Sequence, residues 1–272
     1  MKLIAESGAT KAVWILMNNG LEIKRIQTEG IRPGITHETK IRAIIKEVDL
    51  FFKKDIFSEL LFFGSGCFNE ERALLVKNLF SEVFQERCKI VVKSDLEAAA
   101  LALWKDKPGV VGILGTGSVA FFWNGNSVEQ ICGGKGFKDG DEGGGSDLGK
   151  RLIQKLLIEK SELSSALEVE IGDLNIFSEK SMNSDNPARE FAQLTYFMLK
   201  NRSDKTVQII LKEAFESYIE IIESLKLKAN EIRLVGSVAQ IFIDEITKVL
   251  EINSWKPTCV VQNPIEEIIH FV

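Results

Sequence analysis

The chain has 272 residues, with 34 Lys and Arg against 39 Asp and Glu for a formal charge of −5, and is 45% hydrophobic and 27% charged. That length allows one large or two medium domains, and the composition is ordinary for a globular chain. The acidic balance argues against a nucleic-acid partner, and neither a block of like charge nor an apolar run of spanning length points to a membrane.

Glu6 and Lys11 interrupt the N-terminus before a secretory apolar region could form, and Cys67, Cys88, Cys132 and Cys259 are scattered without a CxxC pair. A cytoplasmic protein with reduced thiols is therefore expected. His37 and His270 are the only histidines, which disfavours His-based metal sites and Ser-His-Asp catalysis.

In chain order, residues 3 to 28 read as an apolar strand, a turn at Ser7-Gly8-Ala9-Thr10-Lys11, a second strand from Ala12 to Met17, an Asn18-Asn19-Gly20 hairpin and a third strand. A helix is predicted from Glu38 to Lys53, a strand from Leu60 to Phe63, a helix from Glu70 to Gln85, a strand from Lys89 to Lys93 and an Ala-rich helix from Leu96 to Trp104. Residues 110 to 132 then repeat the opening plan around Gly115-Thr116-Gly117-Ser118. A helical stretch follows, with helices at Ser146 to Lys160, Asn186 to Leu199 and Lys205 to Leu225. The alternation resumes with a strand at Ile232 to Val235, a helix at Ala239 to Leu250, a strand at Thr258 to Val261 and a last helix at Pro264 to Ile269. The scheme indicates an α/β fold with mixed sheets covered by helices. Trp14 and Trp123 are expected in the core.

A strand that enters a Gly-and-hydroxyl turn and returns antiparallel presents backbone N–H groups in a concave row suited to phosphate. Two such hairpins suggest two lobes gripping one polyphosphate. Further turns at Gly64-Ser65-Gly66, Ser94-Asp95 and Gly236-Ser237 end strands, where ligands of open α/β sheets gather; the first of these reads as a plain turn. The glycine-rich run 133 to 145, which contains Asp139, Asp141 and Glu142, reads as a ligand-cradling loop.

The order Gly115-Thr116-Gly117-Ser118, then Cys132-Gly133-Gly134-x-Gly136-Phe137, then Gly140-Asp141-Glu142-Gly143-x-Gly145-x-x-Leu148-Gly149-Lys150 resembles the N-acetylglucosamine kinase and BadF/BadG/BcrA/BcrD ATPase family. That family belongs to the sugar kinase, heat-shock protein and actin superfamily. The resemblance extends over essentially the whole chain. It includes Ala5 to Lys11 as a first phosphate turn, Ser94-Asp95 as the base-bearing strand end and Leu234 to Ala239 as an adenosine motif.

The resemblance implies a two-lobed actin-like ATPase: duplicated ribonuclease H-like lobes of β-β-β-α-β-α-β-α order, with a helical insertion in the second. The N-terminal lobe is expected over 1–107 and the C-terminal lobe over 108–272, the last helix being a candidate to return to the first lobe. It further implies an ATP-dependent kinase of a small sugar or amino sugar using ATP and Mg2+, with a homodimer as a candidate assembly. ATP would be held by Gly8, Ala9, Thr10, Lys11, Gly115, Thr116, Gly117, Ser118, Gly236 and Ser237. Asp95 would be the general base. The acceptor would be lined by Arg32, Thr116, Gly134, Lys135 and Asp141, and Glu6 would help place magnesium.

The chain departs from the family at five of these places. Glu6 stands for Asp, Ala9 lacks a hydroxyl, Arg32 replaces an Asn, Lys135 a Trp and Gly144 a Ser. Arg32 and Lys135, two cations without an obvious acidic partner in sequence, leave two readings: an acidic or phosphorylated acceptor, or two side chains pointing to solvent at the cleft rim.

Two readings of Asp95 compete: N-cap of the helix beginning at Leu96, or general base, which the flanking motifs favour. The competing functions are a diverged non-catalytic nucleotide- or sugar-binding protein and a BadF-type ATPase activator. The latter is disfavoured because no Cys lies between Cys88 and Gly115. A sugar-responsive transcription factor is not expected, since the first strand begins at once and leaves no room for a DNA-binding module.

Overall fold

Leu3, Ile4 and Ala5 are all fully buried because the strand they form, β1 (Lys2–Ser7), carries apolar layers on both faces. The computed structural model describes residues 1–8 and 10–271. β1 continues through β2 (Lys11–Asn18) and β3 (Leu21–Glu29) as an antiparallel meander. Two helical connections then bring in α1 (Glu38–Phe51), β4 (Glu59–Gly64), α2 (Glu70–Phe84) and β5 (Lys89–Ser94), and α3 (Asp95–Trp104) follows. The strand order is β3-β2-β1-β4-β5, with β4 and β5 parallel to β1. Leu3, Ala5, Trp14, Leu60 and Phe62 pack with residues of α1 and α2 on one face; Ile4, Ile15, Leu61 and Phe63 pack with α3 on the other.

The same order recurs with β6 (Gly109–Leu114), β7 (Ser118–Trp123) and β8 (Val128–Gly133). A helical insertion follows, made of α4 (Gly145–Ile158), α5 (Glu162–Ile171), α6 (Leu174–Met182), α7 (Pro187–Ala192), α8 (Thr195–Lys200) and α9 (Lys205–Glu223). β9 (Glu231–Val235), α10 (Ser237–Ile241), α11 (Ile243–Ile252) and β10 (Lys256–Val261) complete a sheet of order β10-β9-β6-β7-β8. The final helix, α12 (Pro264–Ile268), packs its Ile265 and Ile268 with Ile4 and Ala98. The chain divides into two compact units, Met1–Lys105 with the segment from Asn263 onward, and Asp106–Gln262.

Several predicted elements change on folding. The helix expected over Asn186–Leu199 is two helices. Thr195 Oγ1 donates to the Ala192 carbonyl at 2.7 Å and Tyr196 N–H to Gln193 at 3.2 Å, so tighter i→i−3 bonds replace the α ladder there. The helix expected over Ala239–Leu250 starts at Ser237 and breaks at Phe242, whose side chain is fully buried. α5 and α6, which the apolar spacing did not announce, are opened by the caps Ser161 and Asp173. Trp14 and Trp123 are both buried, though in different registers: Trp14 faces Ala5 and Trp123 faces Gly109. Cys132, expected as a buried strand residue, does lie in β8 but is only partly buried. Among the described residues, no helix is long and apolar enough to cross a membrane.

Candidate functional site

In the first unit, parallel pairing sets Ser7, Gly64 and Ser94 side by side at the ends of β1, β4 and β5. Ser65 and Asp95 therefore emerge next to each other one residue later. Buried Ser7 locks this edge. Its hydroxyl accepts from the Ile31 N–H at 2.7 Å, and its carbonyl accepts from the Ser65 N–H at 2.8 Å. The same Ile31 contact fixes the loop that carries Arg32, whose carbonyl accepts from Ile35 and Thr36. Gly66, at φ +84°, keeps its backbone against Pro33 and the Arg32 side chain.

Asp95 is not the helix cap. Ser94 caps α3, its hydroxyl accepting from the Glu97 N–H while the Glu97 carboxylate accepts from the Ser94 N–H. The Asp95 carboxyl is thereby released from capping. Burial pushes it up to about 6, against the lowering influence of the Ser65 hydroxyl, the Leu96 N–H and the Arg32 charge. Burial likewise pushes Glu6 up to about 7, aided by Asp95 and Glu266 and opposed by Lys11. Arg32, without an evident acidic partner in sequence, thus has one in Asp95. Burial, with Asp95 nearby, raises the Cys67 thiol to about 12, which leaves it an inert part of the wall.

In the second unit, the turn between β6 and β7 is held from beneath. Gly115 N–H donates to the Gly117 carbonyl at 3.0 Å. The first N–H groups of α4, on Gly145 and Ser146, donate to the Gly115 and Thr116 carbonyls at 2.8 and 2.9 Å. Ser118 donates through its hydroxyl to the Glu142 carbonyl at 2.7 Å. Asp147 accepts from the Gly143 N–H at 3.0 Å and is paired with Arg151. Among the described residues, this pattern leaves the N–H groups of Thr116 and Gly117 without a protein acceptor. Gly236, at φ +118°, brings the end of β9 against the same turn. A Cβ there would lie 2.3 Å from the Leu114 carbonyl oxygen and 3.0 Å from the Gly115 nitrogen.

These features fit a nucleotide and a hard divalent cation. Space over Gly115 is open, since a Cβ built there meets nothing within 4 Å, and two unpaired N–H groups stand beside it. Burial and the nearby Asp95 charge raise the proton affinity of Glu6, a situation that a cation beside it would relieve, and Mg2+ requires only one or two carboxylates. Among the described residues, no cluster of three or more His, Cys, Asp or Glu is arranged as a closed metal cage.

The expected residues are brought together in two groups: Glu6, Gly8, Thr10, Lys11, Arg32 and Asp95 in one unit, and Gly115 to Ser118, Gly134, Lys135, Asp141, Gly236 and Ser237 in the other. Ala9 lies outside the described residues. Lys135 and Ser237 are exposed, whereas Asp141 is only 7% exposed. Three participants escaped the sequence reading. Ser65, taken for part of a plain turn, faces Asp95. Glu266 reaches the Glu6 environment only through the docking of α12. Ser94 is the cap, and its signal was legible as Ser94-x-x-Glu97.

No family model matches the chain. The chain is 30% identical over 184 residues to an N-acetylmuramic acid/N-acetylglucosamine kinase from Clostridium acetobutylicum, a stretch covering 61% of this chain and 60% of that protein. It is 27% identical over 173 residues to an N-acetyl-D-glucosamine kinase from Dictyostelium discoideum, covering 59% and 54%. The matched stretches thus span less than two thirds of either relative. A solved structure of a candidate N-acetylglucosamine kinase from Porphyromonas gingivalis superposes with a TM-score of 0.91 at 26% identity, over 99% of this chain and 97% of that one. Together with the duplicated sheet order, these likenesses make the chain similar to N-acetylglucosamine kinases in sequence and in its α/β fold.

Proposed function

We propose that the protein is an ATP-dependent phosphotransferase acting on an amino sugar or a close derivative. The observation that carries this reading is Asp95: a carboxyl relieved of helix capping, raised to about 6 and set beside Ser65, Glu6 and Arg32 at the strand ends. Phosphoryl transfer asks little covalent help of a protein beyond positioning, charge neutralisation and one acceptor for the hydroxyl proton. Asp95 takes that proton. Thr116 and Gly117 offer their N–H groups to phosphate oxygens, with Gly8, Thr10, Lys11 and Ser118 completing the two turns and Gly236 and Ser237 beside the adenosine. Glu6 helps hold Mg2+, which when bound neutralises charge on the phosphates.

Arg32 in the first unit and Thr116, Gly134, Lys135 and Asp141 in the second are the residues we assign to the acceptor. Arg32 supports an acceptor bearing an acidic substituent, because a planar guanidinium recognises a carboxylate or phosphate with two parallel bonds. The Clostridium relative's name couples a neutral amino sugar with an acidic one. A coupled ADP-release assay over neutral and acidic amino sugars, with a no-acceptor control, tests the reading. Acceptor-dependent ADP release is expected, with acidic acceptors losing more than neutral ones in Arg32→Gln. ADP release indifferent to every sugar points instead to an ATPase. Absence of nucleotide binding by the folded protein at millimolar ATP and Mg2+ points to a protein of another function.

A further inference from the structure

The glycine-rich loop meets the helical insertion at Gly143, and the side chain that holds it there lies outside the loop. Gly143 has a φ of +76°, and a Cβ on it would come 3.0 Å from the Tyr218 Cβ, 3.3 Å from the Ala214 carbonyl oxygen and 3.3 Å from Leu114. It thus rests in a groove between α9 and the end of β6. Tyr218 is itself fixed, its hydroxyl donating to the Val119 carbonyl of β7 at 3.0 Å. From the other side, Asp147 Oδ2 accepts from the Gly143 N–H at 3.0 Å. The same oxygen accepts from Arg151 Nε at 2.9 Å, and Arg151 Nη2 donates to Ser217 Oγ of α9 at 3.3 Å. Asp147 is only 8% exposed.

Helix capping does not account for this contact. Asp147 is the third residue of α4, whose N-cap, Gly144, has no side chain to offer. An acceptor at that place ordinarily reaches back to the N-cap N–H. Here the Gly144 N–H is already bonded to the Asp141 carbonyl at 2.8 Å, and the Asp147 carboxylate passes over it to a donor that belongs to the loop. The phosphate turn has separate ties to α4, through the N–H groups of Gly145 and Ser146. We infer that Asp147 is a positioning residue for the acceptor: oriented by Arg151, it seats Gly143 against α9 and so fixes where the preceding Asp141–Glu142 pair stands. This inference rests on the acceptor role proposed for Asp141.

Steady-state kinetics in both substrates, with amide hydrogen exchange on the substrate-free protein, tests it. Asp147→Ala is expected to raise acceptor KM by about fivefold or more, with nucleotide KM within about twofold. Exchange is expected to quicken over residues 141–145 and to stay unchanged in the middle of α9. Asp147→Asn keeps an oxygen for the Gly143 N–H and is expected to recover most of the acceptor KM. Arg151→Gln is expected to raise acceptor KM less than Asp147→Ala does and to add little in the double variant, because both act through one contact. An acceptor KM unchanged in Asp147→Ala while the melting temperature falls overturns the inference and makes the carboxylate a helix stabiliser. An equal rise in both KM values overturns it too. If Asp147→Ala does not fold, Arg151→Gln decides: unchanged acceptor KM together with unchanged exchange over 141–145 overturns it. Those outcomes leave the proposed function in place, whereas absence of acceptor-dependent ADP release from the unaltered protein overturns both.

Discussion

At the strand ends of the first unit ionisable side chains crowd together, with Asp95, Lys11 and Glu266 acting on the protonation of Glu6 and Arg32 on that of Asp95. At the corresponding ends of the second unit the surface is backbone: glycines 115, 117, 144 and 236 in contact, with N–H groups directed by a helix start and a buried acid. Both sheets have the same strand order. A repeated scaffold has therefore been given two chemistries. Side chains with movable protons suit a unit that transfers a proton and meets a cation. Fixed backbone dipoles suit a unit that binds phosphate without titrating.

The largest test of that division is Asp95→Asn. Loss of the proposed base is expected to lower turnover by on the order of 10²–10⁴ while nucleotide affinity hardly moves and the melting temperature does not fall, because Ser94 keeps the cap and the buried charge is removed. A coupled ADP assay with parallel calorimetry and thermal melts measures this. A variant that keeps its specific activity and loses stability would make the side-chain cluster structural.

Gly236→Ala breaks the second unit's side of the comparison. It combines a φ of +118° with a Cβ 2.3 Å from a carbonyl oxygen that is part of the backbone, so a loss of about 3 kcal/mol or more is expected in urea unfolding. Gly64→Ala occupies a like place in the first unit but meets the Phe62 ring and the Cys67 sulfur, which can shift, for a cost of about 1–2 kcal/mol. Gly115→Ala, with nothing near its Cβ, is expected to stay within roughly 0.5 kcal/mol yet to impair nucleotide binding.

A third test uses pH. Glu6 and Asp95 have folded-state values of about 7 and about 6, above those of unfolded carboxyls. Between roughly pH 4 and 7 the folded protein therefore holds more protons than the unfolded chain. The stability these groups confer is present at low pH and is lost as pH rises through 6 and 7. Glu6→Gln is expected to stabilise the protein at pH 8 by on the order of 2 kcal/mol and to change little at pH 5. Thermal melts at both values read the difference. In the unaltered protein the acidic limb of kcat/KM is expected near pH 6, where Asp95 loses its proton. The smallest effect is Ser94→Ala, which removes a cap at a cost of about 1 kcal/mol and lowers kcat by loosening the backbone that aims Asp95.

The alternation of strands and helices, the two turns and the candidate base were legible because each is written locally. Apolar residues recur at strand or helix spacing, and glycine marks backbone that must turn tightly or approach closely. Ser94-x-x-Glu97 was equally local, and it settles which residue caps α3. What the linear chain could not carry depends on residues far apart meeting in space. Ser65 gains its relation to Asp95 only through the parallel register of β4 and β5. Glu266 joins Glu6 only because the last helix docks against α3 and β1. Asp141 was legible as an acid of a ligand-cradling loop, but its burial against Gly117 was not. Identity and spacing of residues determined the fold and the kinds of chemistry present; register, burial and helix docking decided which carboxyl is free, which is a support and how tightly each holds its proton.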